Sequence, residues 1–122
     1  MAGTEIKISA SGEKSNTTAS SAGGSAVATI AAAADTKTYV VMAIISSEGT
    51  TPALGRATLT YTKDGVAQTI GLRFPASAFA PVVLNFGSHP IEGDANTAVV
   101  LTVPALSAAI QEATLVYYQR LA

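Results

Sequence analysis

The sequence predicts an all-β fold, a two-sheet antiparallel sandwich of the jelly-roll type with about eight strands. Three observations lead to this fold class. Short runs rich in β-branched residues recur along the chain, and turn-forming Gly, Pro, Asn and Asp separate them at short intervals. No segment repeats its apolar residues with the period of a helix. Evenly spaced strands of this kind favour a sandwich or jelly roll over an α/β fold.

The chain of 122 residues is predicted to form one domain, residues 1–122. A domain of this length buries roughly two thirds of the surface of its unfolded chain, so two packed sheets can be stable without disulfides or metal. The absence of cysteine agrees with that expectation and excludes a zinc ribbon and a thiolate catalyst. We therefore expect no cofactor and no structural metal.

The predicted strands differ in how clearly the sequence marks them. Residues 4–10 alternate, with Ile6 and Ile8 on one side and polar residues on the other, which is the pattern of a half-buried strand. Residues 11–25 are nearly all small or polar, and such a segment cannot bury enough apolar surface to offset the entropy of ordering. We therefore expect residues 11–25 to form a long flexible loop or arm. The other predicted strands are residues 26–34, 36–46, 56–62, 66–74, 81–86, 97–103 and 112–121.

The run of residues 36–46 is apolar on both of its alternating faces. Simple alternation places Tyr39, Val41, Ala43 and Ile45 on one face and Val40, Met42 and Ile44 on the other. One face of a sandwich strand meets the core, and the other normally meets water. We therefore predict that the outer face of this strand packs on a loop, an arm or a neighbouring subunit, which favours a homo-oligomer.

The clearest hairpin contains the dipeptide Asp64-Gly65, which suits a type I′ turn. A two-residue turn at this point fixes the register of the two flanking strands, and that register places the apolar residues of both strands on one face. It also sets Arg56 directly opposite Arg73 on the outer face, where like charges repel each other. An acidic partner or a bulge would relieve the repulsion. Arg56 and Arg73 are therefore candidate partner-contact residues.

The charge content argues against several kinds of partner. Charged residues make up 12% of the chain, about half the average of globular proteins, and the net charge is −1. Without a Lys/Arg cluster there is little counterion release to drive binding, so nucleic acid is not an expected partner. No apolar run approaches the about 18 residues needed to span a bilayer, and the first residues lack the pattern of a signal peptide. We expect a protein that is made in a cytoplasm and does not bind a membrane.

Two groups of polar residues are candidates for chemistry. His89 is the only histidine and precedes Pro90, and the sequence has no Gly-x-Ser-x-Gly elbow, so an exposed turn is favoured over a catalytic triad. Glu92, Asp94 and Asn96 alternate in IEGDAN, a spacing at which oxygen ligands can hold Ca²⁺. The favoured alternative is a tight turn in which Asp or Asn accepts backbone N–H bonds. No catalytic residue is predicted, and we expect the chain not to be an enzyme.

The last predicted strand carries two adjacent tyrosines, Tyr117 and Tyr118, which point to opposite faces. One of them should belong to the core. The other is either an interface anchor or simply a strand-forming residue. We name Tyr118, with Arg56 and Arg73, as a possible partner contact.

The C-terminal part of the chain, PVVLNFGSHPIEGDANTAVVLTVPALSAAIQEATLVYYQRLA, contains a strand, a Pro-Ile-x-Gly turn, an Asn-Thr-Ala-Val strand and a final tyrosine-bearing strand. With the upstream run VVMAIISSEGTTPALGRATLTYTKDG, it resembles small jelly-roll virion proteins of tailed phages, of the capsid decoration or cement type. The resemblance covers about residues 37–122. The similarity lies in the order of the strands and turns and in their residue types, without a fixed motif.

The resemblance implies a homotrimer on the outer surface of a phage head, with the major capsid protein as partner. The polar N-terminal arm and the outer faces of a few strands would make the contacts, and no catalytic residue carries over. An alternative is a carbohydrate- or receptor-binding β-sandwich module of a phage tail or head fibre, with exposed tyrosines and the IEGDAN loop touching sugar.

Overall fold

The computed structural model describes residues 15–22, 25–49, 55–74, 79–104 and 109–122. The regular secondary structure of these residues consists of nine β-strands. They are β1 (Ser15–Ala22), β2 (Ala26–Ile30), β3 (Thr36–Gly49), β4 (Gly55–Lys63), β5 (Val66–Phe74), β6 (Phe79–Asn85), β7 (Ile91–Gly93), β8 (Val99–Val103) and β9 (Ala109–Leu121). The strand predicted over residues 4–10 lies outside the described residues.

The nine strands form two antiparallel sheets. Sheet A has the strand order β1-β9-β3-β6, with the short β7 also paired to β3, and sheet B has the order β2-β8-β4-β5. The pairs are nested: β4 with β5, β3 with β6, β2 with β8, and β1 with β9. This is jelly-roll connectivity, one long hairpin wound so that successive pairs fall in alternate sheets. The predicted fold class is confirmed, and β7 is an additional short strand.

The core lies between the two sheets and follows from alternation along the strands. In β8, Val99, Leu101 and Val103 are buried while Val100 and Thr102 are partly exposed. Removing such side chains from water is the main favourable contribution to folding. The buried apolar residues come from both sheets and are Ala26, Ala28, Ile30, Val40, Ala43, Ile45, Ala57, Leu59, Leu72, Val99, Leu101, Val103, Ala113 and Leu115.

The β4–β5 hairpin has the register that the sequence predicts. Its turn residues Asp64 and Gly65 have φ angles of 53° and 77°, as a type I′ turn requires at both positions. Lys63 pairs with Val66, and Arg56 pairs with Arg73. The dipeptide and the apolar pattern agree, so a local signal was enough to fix this part of sheet B.

The prediction of a loop or arm over residues 11–25 is wrong for residues 15–22. Ser15–Ala22 is strand β1, which pairs with β9 from Ser15 opposite Tyr117 to Ala22 opposite Ile110. The prediction considered only how much apolar surface these small residues could bury. Backbone hydrogen bonds to β9 supply the missing stabilisation, because the long β9 would otherwise leave a row of unpaired N–H and C=O groups along this edge.

A β-bulge in β3 overturns the simple alternation predicted for residues 36–46. The register with β9 shifts between Val40 and Met42, and the carbonyl of the intervening Val41 accepts a hydrogen bond of 2.8 Å from the N–H of Phe86. An extra residue reverses the alternation beyond it. Tyr39 therefore lies on the outer face of sheet A, whereas Ala43 and Ile45 are buried.

Candidate functional site

The outer face of sheet A carries two stacked tyrosines. Tyr39 in β3 lies opposite Tyr118 in β9, and their ring centroids are 5.0 Å apart with 11° between the ring planes. The Cζ atom of Arg120 lies 5.5 Å from the Tyr39 centroid and 5.2 Å from the Tyr118 centroid. Stacking and cation–π attraction together hold the three side chains in one arrangement. We call Tyr39, Tyr118 and Arg120 the aromatic cluster.

Apolar side chains continue along the same face, beyond the bulge. Met42 lies opposite Val116 of β9, and Ile44 lies opposite Val83 of β6. Val83 is 49% exposed, and the other three side chains are half-buried. We call Met42, Ile44, Val83 and Val116 the apolar patch. The sequence predicts an apolar outer face on β3, and the structure places it beside the aromatic cluster.

Three charged residues join the two sheets at the end of the sandwich near the aromatic cluster. The carboxylate of Glu92 in β7 accepts hydrogen bonds from Lys37 Nζ at 2.9 Å and from Lys63 Nζ at 3.1 Å. Lys37 belongs to β3 in sheet A, and Lys63 ends β4 in sheet B. We call Lys37, Glu92 and Lys63 the charge bridge. Because Glu92 also lies opposite Tyr39, the bridge borders the aromatic cluster.

The charge bridge favours the ionised form of each of its members. Hydrogen bonds from Lys37 and then Lys63 lower the pKa of Glu92 below its ordinary value, against the opposing effect of burial. The hydrogen bond to Glu92 raises the pKa of Lys37 and that of Lys63. All three groups are therefore charged at neutral pH, and the carboxylate of Glu92 is hydrogen-bonded to the ammonium groups of both lysines.

The IEGDAN loop forms the tight turn that the sequence favoured over a calcium site. Asp94 accepts hydrogen bonds from the backbone N–H groups of Gly65, at 2.8 Å, and Asp64, at 3.0 Å, and these bonds lower the pKa of Asp94. Asn96 has a φ of 65° and accepts a hydrogen bond of 3.1 Å from the N–H of Asp35. Within the described ranges no group of three or more His, Cys, Asp or Glu residues is placed to hold a metal ion. Asp94 thus fixes the β4–β5 turn, and Asn96 fixes the backbone at Asp35.

His89 lies in an exposed turn, as the sequence favours. Its backbone N–H donates a hydrogen bond of 2.9 Å to the carbonyl of Phe86, and its Nδ1 lies 3.2 Å from Oγ of the adjacent Ser88. The ring is exposed. Among the described residues, no hydrogen bond is found that would orient this ring as the third member of a triad does.

The three possible partner contacts named from the sequence fall on two opposite faces. Tyr118 belongs to the outer face of sheet A, while Tyr117 packs against the core. Arg56 and Arg73 are exposed on the outer face of sheet B, because their neighbours Ala57 and Leu72 are buried. The structure thus brings Arg56 and Arg73 together and separates them from Tyr118.

Sequence reasoning missed Tyr39, Arg120 and Glu92 as companions of Tyr118. Simple alternation places Tyr39 on the face of Ala43 and Ile45, and only the bulge at Val41 moves it to the other face. Arg120 follows Tyr118 by two residues, so strand alternation alone could have placed it on the same face. Glu92 is separated from Lys37 by 55 residues, and no local signal links them.

No protein-family model and no curated protein sequence matches the chain. Among solved structures, an arabinose-bound α-L-arabinofuranosidase is similar at 13% identity and a TM-score of 0.46, covering 80% of this chain but 18% of that enzyme. A family 16 carbohydrate-binding module is similar at 20% identity and a TM-score of 0.41, covering 84% of this chain and 71% of the module.

A virus-like particle of the extra small virus of the giant freshwater prawn Macrobrachium rosenbergii is similar at 12% identity and a TM-score of 0.26, covering 93% of this chain and 82% of that chain. None of the three similarities assigns a ligand or partner to this chain. The described part of the chain also contains no helix that is long and apolar enough to cross a membrane.

Proposed function

We propose that this chain is a non-enzymatic structural protein of a phage virion, a capsid decoration protein that binds the outer surface of the head and stabilises it. The observation that carries the proposal is the outer face of sheet A, where the apolar patch adjoins the aromatic cluster. The resemblance of residues 37–122 to decoration proteins of tailed phages supports the choice of partner, the major capsid protein.

The composition of the aromatic cluster and the apolar patch supports a protein contact surface. Interface centres are enriched in Tyr, Met and Arg and depleted in Lys and Asp, and truncating Tyr or Arg there typically has the largest effect on binding. Tyr39, Tyr118, Arg120 and Met42 lie together on one face. Stacking restrains both rings before binding, so less conformational entropy is lost when a partner covers them.

A decoration protein needs only modest affinity at each contact. A capsid offers many identical sites, and a homotrimer of this chain would engage several of them with a high effective concentration. Light scattering of the purified chain is expected to give the mass of three subunits. A monomeric mass at micromolar concentration would contradict the predicted trimer, but it would not contradict binding through the outer face of sheet A.

The docking face can be tested with two matched valines. Val83 in the apolar patch is 49% exposed, and Val27 on the outer face of sheet B is 45% exposed. Val83→Lys puts a charge into the proposed interface and is expected to weaken co-sedimentation with purified heads by about tenfold or more. Val27→Lys adds the same charge on the opposite face and should bind like the unsubstituted chain. Equal binding of both variants, or no binding of the unsubstituted chain, would contradict the proposal.

The second candidate function is binding of carbohydrate in a phage tail or head fibre, and the aromatic cluster favours it. Tyrosine rings stack on sugar rings, and charged groups next to them can bond the hydroxyls. The charge bridge supplies such groups beside Tyr39. Glycan-array binding that Tyr118→Ala removes and Val83→Lys preserves would favour this candidate. Loss of head binding in Val83→Lys without any glycan signal would exclude it.

A further inference from the structure

The outer face of sheet B holds two arginines in an arrangement that the proposed function does not use. Arg56 in β4 lies directly opposite Arg73 in β5, and both side chains are exposed. Side chains directly opposite each other on antiparallel strands are about 5 Å apart at their β-carbons, where like charges destabilise the pair. The sequence nevertheless places two full positive charges there.

Gly71 provides a seat for the side chain of Arg56. A β-carbon on Gly71 would overlap the Nε of Arg56 and would lie 2.6 Å from Nη2 and 2.7 Å from Cζ. The guanidinium therefore lies over Gly71, in space that a β-carbon on residue 71 would occupy. Gly71 and Arg73 are two residues apart on the same face of β5, about 6.8 Å along the strand. The guanidinium of Arg56 thus lies over position 71 of β5, and Arg73 extends from the same face two residues further along.

Among the residues that the structure describes, no group compensates either charge. Within the described residues neither the Arg56 nor the Arg73 side chain makes a hydrogen bond or an ion pair. The paired outward positions next to them, Thr58 and Thr102, carry neutral hydroxyl groups. Each guanidinium presents five N–H donors in a planar fork that fits a carboxylate. The face therefore offers two exposed guanidinium groups to carboxylates.

We propose that Arg56 and Arg73 bind the carboxylates of an acidic segment of a partner protein, with Gly71 as the seat of the Arg56 guanidinium. An extended Glu-x-Glu segment places its two acidic residues on one side about 6.8 Å apart, the same separation as positions 71 and 73 along β5. A nucleic acid is a poor fit, because two cations neutralise only about two phosphates and give little counterion release. This site lies on the face opposite the apolar patch and stands independently of the virion function.

The test uses the full chain and a short probe. Acetyl-Glu-Gly-Glu-amide is titrated at low ionic strength while the arginine Nε–Hε and backbone amide signals are followed by nuclear magnetic resonance. The expected shifts are confined to Arg56, Gly71 and Arg73, and they are expected to weaken on adding salt. The peptide with Gln in place of both Glu residues is the control and should give no shifts.

Three variants and one control distinguish a specific carboxylate-binding site from a general effect of the protein's charge on peptide binding. Arg56→Gln and Arg73→Gln are each expected to weaken peptide binding about two- to fivefold, as exposed ion pairs do. Gly71→Ala removes no charge but displaces the guanidinium, and it should weaken binding with an unchanged circular dichroism spectrum. Lys37→Gln removes a charge from sheet A and should have no effect. Equal losses in Lys37→Gln and Arg73→Gln, a response to the Gln peptide, or a response to sodium phosphate without one to the Glu peptide would overturn the proposal.

Discussion

Replacing Leu101 by alanine is expected to destabilise the domain strongly, because the site cannot close around the cavity. Leu101 is fully buried in the middle of sheet B, paired with Ala28 on one side and with Leu59 on the other. The substitution removes three carbons, about 2.4 kcal/mol at 0.8 kcal/mol each. Since β8 is held by strands on both sides, little relaxation can offset the cavity, and the total should reach about 3–5 kcal/mol.

Val100→Ala is the matched control, since Val100 is the adjacent residue of β8 and points to the outer face. Its side chain is half-buried, and its loss should cost about 1 kcal/mol or less. Urea unfolding followed by circular dichroism measures both variants. With a slope of about 2 kcal/mol per molar urea, the midpoint should fall by about 1.5–2.5 M for Leu101→Ala and by about 0.5 M or less for Val100→Ala.

The order of these two effects tests the register of sheet B. A strand that slips by one residue exchanges its core and solvent faces. A larger loss for Val100→Ala than for Leu101→Ala would therefore refute the pairing of β8 with β2 and β4. It would also undermine the assignment of Arg56 and Arg73 to the outer face.

Three further outcomes are expected. The pKa values of Glu92 and Asp94 in the folded protein are lowered below their ordinary 4.5 and 3.8, so the two carboxylates stabilise the fold fully above those ordinary values, and this stabilisation is lost as pH falls through the lower folded values. Urea unfolding from pH 7 to pH 2 should show the loss, and the loss should be smaller in Glu92→Gln. The same pH profile in Glu92→Gln and in the unsubstituted chain would contradict this prediction. Gly65→Ala forces a β-carbon into a φ of 77° and should cost about 1 kcal/mol in the same assay, whereas no cost would argue against the type I′ turn. Tyr118→Leu should remove the near-ultraviolet circular dichroism of the stacked rings, and an unchanged spectrum would mean that Tyr39 and Tyr118 do not stack.

The sequence was most informative where the determining interactions are local. The dipeptide Asp64-Gly65 sets both the turn and the register of β4 with β5, and this places Arg56 opposite Arg73. Alternation in β8 likewise identifies Leu101 as core. Turn geometry and a period of two residues are properties of a few neighbouring residues, so a single sequence contains them.

The features that the sequence did not reveal depend on partners distant along the chain. The bulge at Val41 lies where β7 ends and β6 begins to pair along the edge of β3, and nothing within residues 36–46 marks it. Strand β1 depends on the backbone of β9, about 95 residues away. Glu92 meets Lys63 across 29 residues and Lys37 across 55. The aromatic cluster is a product of these long-range pairings.

Hydroxyl-radical footprinting of the chain, free and bound to purified heads, tests most directly whether the outer face of sheet A is a protein contact surface. Methionine and tyrosine side chains react readily, so Met42, Tyr39 and Tyr118 report on that face, and Tyr61, on the core side of sheet B, serves as an internal reference. Binding is expected to lower the modification of Met42, Tyr39 and Tyr118 severalfold and to leave that of Tyr61 unchanged. Undiminished modification of those three residues on head-bound chains would contradict it.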